Sequence, residues 1–234
     1  MENKKIGFKV KQMGEEHIFN VEQVMAFYLV KMKRFYELSE IACKELVLTI
    51  PSYCSNVERQ ALLDAAKIAG LKVQRVINES TAVALQYGFF RKRDLDPKNE
   101  RIVAFVDLGH SKCTVSIASF TQGQTKILCH RSDRNLGARE WDYEITKVLA
   151  AEFEKKYGDD PMENKRCVLR LLEAVEKGRK MLSSVGDAQI SVDYLLNEED
   201  LVRTYKREEF EALIQPSVQR LSELIKETIE GAGK

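Results

Sequence analysis

The chain reads as an α/β protein with mixed sheets and flanking helices, and three observations predict this. Short β-branched runs alternate with helical repeats through residues 46–88. At those lengths the order strand, helix, strand, helix implies right-handed crossovers, with helices on the faces of a mixed sheet. Three strands then follow in series, at 102–106, 113–120 and 126–130. Two long helices, 139–157 and 165–184, come next, followed by a hairpin and a last helix.

Each element has a local reason. Residues 6–19 alternate weakly through Ile6, Phe8 and Val10 and carry Gly14-Glu15, which predicts a short hairpin with its turn there. Asn20 with Gln23 three residues on forms a capping box. The helix it starts has Val21, Val24, Phe27, Tyr28, Met32, Phe35 and Leu38 at helical spacing. Pro51 closes the strand at 46–50. Ser55 and Glu58 repeat the capping box, and that helix runs to Gly70, where a terminating glycine belongs. After a strand at 73–77, the polar run at 78–81 caps a short helix at 82–87 that Gly88 ends. Residues 91–100 form a charged connector with Pro97. The strand at 102–106 is apolar, the one at 113–120 alternates, and Gln122-Gly123 turns the chain into the third. Gly137 precedes the helix at 139–157, whose stripe is Trp141, Ile145, Val148, Leu149 and Phe153. Residues 190–196 and 201–205 pair as a hairpin, and the last helix starts at Arg207 and bends or restarts near Pro216.

The 234 residues are 44% hydrophobic and 31% charged, which suits a packed core and argues against disorder. Lys+Arg 37 against Asp+Glu 36 leaves a net charge of +1, so no global field favours nucleic acid or anionic membrane. Cys43, Cys54, Cys113, Cys129 and Cys167 are odd in number and never spaced C-x-x-C, which reads as reduced thiols in a cytosolic protein. Residues 1–11 are charged and lack the apolar segment of a signal peptide. His110 and His130 are too few for a metal site, and no Ser-His-Asp or Cys-His set is evident. The end, Gly231-Ala232-Gly233-Lys234, mimics a P-loop but lacks its earlier glycine and its Ser/Thr.

One stretch carries chemistry: V-D-L-G-H-S-K-C-T-V-S-I at 106–117. An apolar strand ends in Asp107, turns through Gly109, His110 and Ser111, and returns as a strand. Backbone N–H groups and one carboxylate gather there, which suits a phosphate chain with its Mg²⁺. A plain hairpin turn has the same residues.

Four ordered motifs extend the reading. They are T-I-P-S-Y at 49–53 with E-R-Q at 58–60 and D-A-A-K-I-A-G-L at 64–71; V-I-N-E-S-T-A-V-A-L-Q-Y-G at 76–88; F-V-D-L-G-H-S at 105–111; and L-G-A-R-E-W-D at 136–142 with E-K-G-R-K-M-L-S-S at 176–184. Together they resemble the nucleotide-binding domain of the seventy-kilodalton heat-shock chaperones, and most of all their hundred-and-ten-kilodalton relatives. His110-Ser111-Lys112 replaces the small chaperones' Gly-Gly-Thr, and Arg139 after Leu-Gly-x is similar to the large branch. The resemblance implies an actin-like ATPase fold of two lobes clamping ATP or ADP with Mg²⁺. It is incomplete here, because the family's first phosphate loop and catalytic lysine would lie upstream and its Gly-Gly adenosine motif downstream. The implied domains are 1–96 for the rest of lobe I and 97–234 for most of lobe II, with 136–215 as its outer subdomain.

The resemblance also implies roles. Asp107 would accept from a Mg²⁺-bound water, and the backbone of Gly109, His110 and Ser111, with Gly137, would cradle phosphate. Lys112 would either add charge near phosphate or stand in solvent as a turn residue. Glu79 would be the acid near the metal, or else a carboxylate favouring a helix N-terminus. Neither Glu79 nor Asp107 completes a catalytic set. Pro51 and Arg59 match interdomain signalling residues of the small chaperones, yet a strand terminator and a surface charge explain them as well. Glu176, Arg179, Lys180 and Ser183 lie at i, i+3, i+4 and i+7 on one helix face. That face would be the adenosine wall, or an ordinary solvated stripe. The implied function is ATP binding in a nucleotide-exchange factor and co-chaperone of cytosolic seventy-kilodalton chaperones, whose parent also holds unfolded polypeptides. An ATP-hydrolysing chaperone domain and a truncated isoform without nucleotide activity are the alternatives.

Overall fold

The computed structural model describes residues 6–38 and 45–233, so Cys43, the first five residues and Lys234 lie outside the described residues. Six helices and nine strands are described. The chain divides into two compact units, Met1–Arg101 with Phe120–Ile127, and Ile102–Ser119 with Leu128–Lys234. The α/β class holds, but the strands form four small sheets rather than one large mixed one.

In the first unit, β1 (Gly7–Gln12) and β2 (Glu15–Asn20) pair antiparallel with Gln12 opposite Glu15. The turn is therefore Met13-Gly14, one residue earlier than predicted, with φ of +51° and +89°. Two positive φ values match the right-handed twist of the strands. Helix α1 (Val21–Leu38) is capped as predicted: the Asn20 N–H donates to Gln23 Oε1 at 2.9 Å and the Gln23 N–H to Asn20 Oδ1 at 2.8 Å. Its predicted apolar stripe is not what it buries. Val21, Val24, Phe27, Tyr28, Phe35 and Leu38 are exposed, while Ala26 and Leu29 are buried against Ala65, Ala66 and Ala69. Small side chains let two helices approach closely, so α1 presents its alanine side to α2 (Asn56–Ile68) and turns its larger residues away.

The second capping box also forms, with the Ser55 N–H donating to Glu58 Oε2 at 2.7 Å and the Glu58 N–H to Ser55 Oγ at 3.3 Å. Strands β3 (Leu46–Ile50) and β4 (Val73–Asn78) pair parallel on either side of α2 in sequence. Helix α3 spans Glu79–Phe90, longer at both ends than predicted, and Gly88 lies inside it. That glycine serves contact rather than termination. A Cβ there would stand 2.9 Å from Thr125 Oγ1 and 3.4 Å from the Phe120 ring.

β5 (Arg101–Leu108), β6 (Cys113–Thr121) and β7 (Gln124–Asp133) form one sheet in that order, and residues 102–119 and 128–133 of it belong to the second unit. Strand β6 was expected to alternate. Instead every residue from Cys113 to Phe120 is buried, because packing covers more than one face: Cys113 and Val115 lie against Leu108, Leu136, Leu221 and Leu224, and Phe120 lies against Tyr87. Its polar residues are accommodated inside, as with Thr114 Oγ1 3.2 Å from Ser132 Oγ. Helices α4 (Ala138–Tyr157) and α5 (Lys165–Leu182) pack with the hairpin β8 (Asp187–Leu196) and β9 (Glu199–Lys206). Their core includes Ile145, Leu149, Phe153, Leu171, Val175, Ile190 and Tyr205, nearly all fully buried. Each such side chain contributes about 1.5–3 kcal/mol of apolar burial. The β8–β9 loop is Asn197-Glu198, with φ of +50° and +64° and no glycine. Helix α6 (Arg207–Gly231) runs unbroken through Pro216, so of the expected bend or restart there the restart is ruled out. Its Leu221, Leu224 and Ile225 pack on Cys113, Val115 and Leu136.

Gly178 lies inside α5, where alanine would normally favour the helix by about 1 kcal/mol. A Cβ there would meet Ile190 Cγ1 at 2.7 Å, so overpacking decides the sign. Gly178→Ala is expected to cost about 1–2 kcal/mol in denaturant unfolding, and less in a chain that already carries Ile190→Ala, which removes the clashing Cγ1. A stabilised Gly178→Ala would contradict this packing.

Candidate functional site

The site grows from the β5–β6 turn. Asp107 is the next-to-last residue of β5 and is exposed. The Gly109 N–H donates to the Lys112 carbonyl at 2.9 Å and closes the turn. The turn's outward carbonyls are then used by α4. The Ala138 N–H donates to Gly109 O at 3.0 Å and the Arg139 N–H to His110 O at 2.8 Å. These are among the first amides of α4, which have no partner inside their own helix. Gly137, the N-cap residue, makes the approach possible. A Cβ on it would lie 2.5 Å from His110 O and 2.8 Å from Ser111 N, inside van der Waals contact.

Beside the turn, Cys113 is fully buried. Burial pushes its thiol up to about 11, and the nearby Asp107 and Asp133 carboxylates push it the same way. The α5 face that the sequence singled out is not a row of free heads. Lys180 Nζ pairs with Glu176 at 2.6 Å, and that bond holds the Glu176 carboxyl below its usual range, with smaller contributions from Arg179 and His110. Arg179 grips Asp142 of α4 with two bonds, Nε to Oδ1 at 2.5 Å and Nη2 to Oδ2 at 3.1 Å. Only 4% of the Asp142 side chain and 14% of the Arg179 side chain is exposed. Ser183 is the C-cap of α5, and its hydroxyl donates to Lys180 O at 2.6 Å. Arg179, Lys180 and Ser183 line a cleft of about 560 Å³ together with Trp141, Phe210 and Arg207.

Comparison with known proteins decides the family. The Hsp70 protein family model matches residues 1–234. The chain belongs to the Hsp70 family. It is 37% identical to a heat shock protein homolog of Saccharomyces cerevisiae over 235 residues, 99% of this chain and 34% of that protein. It is 35% identical over 234 residues to the "97 kDa heat shock protein" of Strongylocentrotus purpuratus, 97% of this chain and 26% of that protein. With "Heat shock 70 kDa protein 14" of Arabidopsis thaliana it shares 38% over 222 residues, 94% and 27% of the two. The chain thus spans about a third or less of the length of these relatives. Membership makes it chaperone nucleotide-binding-domain sequence with the α/β architecture of a partial actin-like fold, and the large heat-shock proteins among its relatives agree with the motifs at 105–111 and 136–142.

Of the expected site residues of this Hsp70-family chain, Asp107, Gly109, His110, Ser111, Gly137, Glu176, Arg179, Lys180 and Ser183 all belong to the second unit. Glu79 belongs to the first, half-buried in the opening turn of α3. Lys112, weighed as a solvated turn residue, is half-buried and has a partner. Arg59 is not a loose surface charge: its Nη2 donates to Asn78 Oδ1 at 2.7 Å and its Nε to Cys54 O at 3.3 Å. It ties the loop after Pro51 to the end of β4. Among the described residues no group of three or more His, Cys, Asp or Glu could hold a metal ion, and no helix is long and apolar enough to cross a membrane.

Sequence reasoning missed Asp142, Trp141, Phe210 and Arg207. The first two stand inside the quoted Leu-Gly-Ala-Arg-Glu-Trp-Asp motif, which was the available signal. Phe210 and Arg207 come from α6, and no spacing ties them to α5.

Cys113 yields a pH-dependent expectation. Its folded pKa is raised, so the neutral thiol favours the fold below pH about 9, and that contribution fades as pH rises through about 11. Cys113 is expected to stay unmodified by a thiol reagent at neutral pH in the native chain and to react on unfolding, read by mass spectrometry of its peptide. Rapid native modification would contradict its burial.

Proposed function

We propose that the second unit binds ADP or ATP with Mg²⁺, the phosphates at the β5–β6 turn and the adenosine at the cleft beside α5. What carries this reading is the gathering of the turn and the α5 face in one unit, joined through α4, whose Ala138 and Arg139 amides dock on the turn and whose Asp142 holds Arg179. Because the Gly109 amide closes the turn, the phosphate contacts fall to the amides of His110 and Ser111. Asp107 accepts from water on the Mg²⁺, which would neutralise phosphate charge when bound. Gly137 supports the turn from beneath, Glu176 and Lys180 face the ribose, and Ser183 meets the base.

In the longer protein, this domain serves a cytoplasmic nucleotide-exchange factor and co-chaperone. It embraces the nucleotide-binding domain of a seventy-kilodalton chaperone and selects its open state, which shifts the population toward ADP release. The parent also holds unfolded polypeptides. Support comes from the likeness to large heat-shock proteins and from the His110-Ser111-Lys112 turn, which replaces the hydroxyl of the ATP-hydrolysing chaperones.

A thermal melt with and without Mg-ATP tests the binding. A ligand at about a hundred times its Kd adds roughly 2.7 kcal/mol to the folded state. Trp141 is the chain's single tryptophan and lines the cleft, so its fluorescence should change over the same concentrations. A Mg-dependent rise in Tm that Asp107→Ala removes is expected. An unmoved melt and unmoved fluorescence at millimolar Mg-ATP would contradict the reading.

A further inference from the structure

Among the described residues, β3 pairs with β4 alone, in a parallel sheet of two strands. Parallel pairs are weaker per residue than antiparallel ones and normally lie inside larger, covered sheets. Beside β3 the first unit has a groove of about 630 Å³. Residues 46–49, four in a row on β3, line it, and among the described residues none of β4 does. Successive side chains of a strand point to opposite faces. A groove bounded by four consecutive residues therefore runs along the strand's edge and not over one face. Since β4 holds the other edge, the groove meets the backbone N–H and C=O groups that β4 does not take.

The opposite wall is one side of α1, where Met25, Tyr28, Met32 and Tyr36 recur at i, i+3, i+7 and i+11. Tyr28, Tyr36 and Val47 are 59%, 49% and 52% exposed, so both walls are open to solvent. Charge contributes little, because Lys33 Nζ lies 4.0 Å from the Glu37 carboxylate on the same wall. Methionine side chains repack around differing neighbours, which suits a variable occupant. An open strand edge facing an apolar helix wall has the form of a strand-addition site. A second copy offering its own β3 edge would bring its own α1 beside that edge, and the two helices would compete for one space. A bare extended segment brings no such helix.

We propose that this groove binds an extended, uncharged polypeptide segment with apolar side chains at alternate positions, added to the sheet as a strand along β3. The five residues of β3 set the length of the segment. The main-chain ladder supplies affinity with little regard to sequence, and the α1 wall selects the apolar side. Proline within the segment is excluded, because it has no N–H to give to the ladder. The site goes beyond the nucleotide reading and does not depend on it, since the phosphate and adenosine contacts assigned above lie in the second unit.

The test uses the full chain and a fluorescein-labelled peptide of about seven residues, alternately valine and threonine, with binding followed by anisotropy. Its control is the same peptide N-methylated along the backbone, which keeps the side chains and removes the donors. The unmodified peptide is expected to bind at least about tenfold more tightly than the control. Val47→Lys places a charge at the edge, and Tyr28→Ser strips the helix wall. Both positions are largely exposed, so the melt is expected to stay in place while peptide affinity falls about tenfold.

Equal affinity for peptide and control would mean apolar adsorption without a ladder, and it overturns the proposal. No binding up to about millimolar peptide overturns it too. So does a chain that sediments as a dimer and becomes a monomer with Val47→Lys, since a second copy then occupies the edge. Should Val47→Lys fail to fold, Tyr28→Ser and the N-methylated control decide.

Discussion

Much of the second unit depends on one close approach. The carbonyls of Gly109 and His110 receive the amides of Ala138 and Arg139, and Gly137 has no Cβ to keep them apart. Two needs are met at once. The turn's carbonyls are satisfied without water, and α4 begins with partners for amides that its own helix cannot pair. The direction of α4 follows from that docking. Along it, Trp141 and Asp142 arrive at the cleft, and Ile145, Leu149 and Phe153 enter the core. Asp142 then meets Arg179, which ties α5 to α4 through a nearly dry ion pair. Removing one partner of such a pair costs far more than the pair contributes, because a buried charge is left alone.

The charge pattern around the cleft follows from the same pairing. A solvated stripe would hold its heads apart in water, with each pair worth little. On α5 the exposed Lys180–Glu176 contact is of that kind, while Arg179 is largely withdrawn from solvent. The outcome is a cleft rich in cations by composition and modest in available charge.

Elements with chemistry carried by neighbours in sequence were legible. Both capping boxes form between residues three apart, and the Asp-Leu-Gly turn needs only its own strand ends. The features that were misread depend on distant partners. Helix α1 has two apolar sides, and only the alanines of α2 decide which is buried. Gly88 looks like a terminator until Phe120 and Thr125 arrive against it. The alternation of Cys113 to Phe120 predicts a strand with one wet face, yet distant residues cover it, Leu221 and Leu224 over Cys113 and Val115 and Tyr87 over Phe120. Asn197-Glu198 turns a hairpin at positive φ with no glycine to announce it, and the flanking ladder supplies the reason. In the candidate site the residue types were readable from the family motifs. The Arg179–Asp142 grip was not, since it joins positions 37 apart.

Amide hydrogen exchange of Ala138 and Arg139, with and without Mg-ADP, tests the central claim most directly. If the turn docks on α4 and holds phosphate on its other side, both amides exchange slowly in the free chain and more slowly with nucleotide. Exchange at the rate of open loop amides, or protection that saturating Mg-ADP leaves unaltered, would contradict the account.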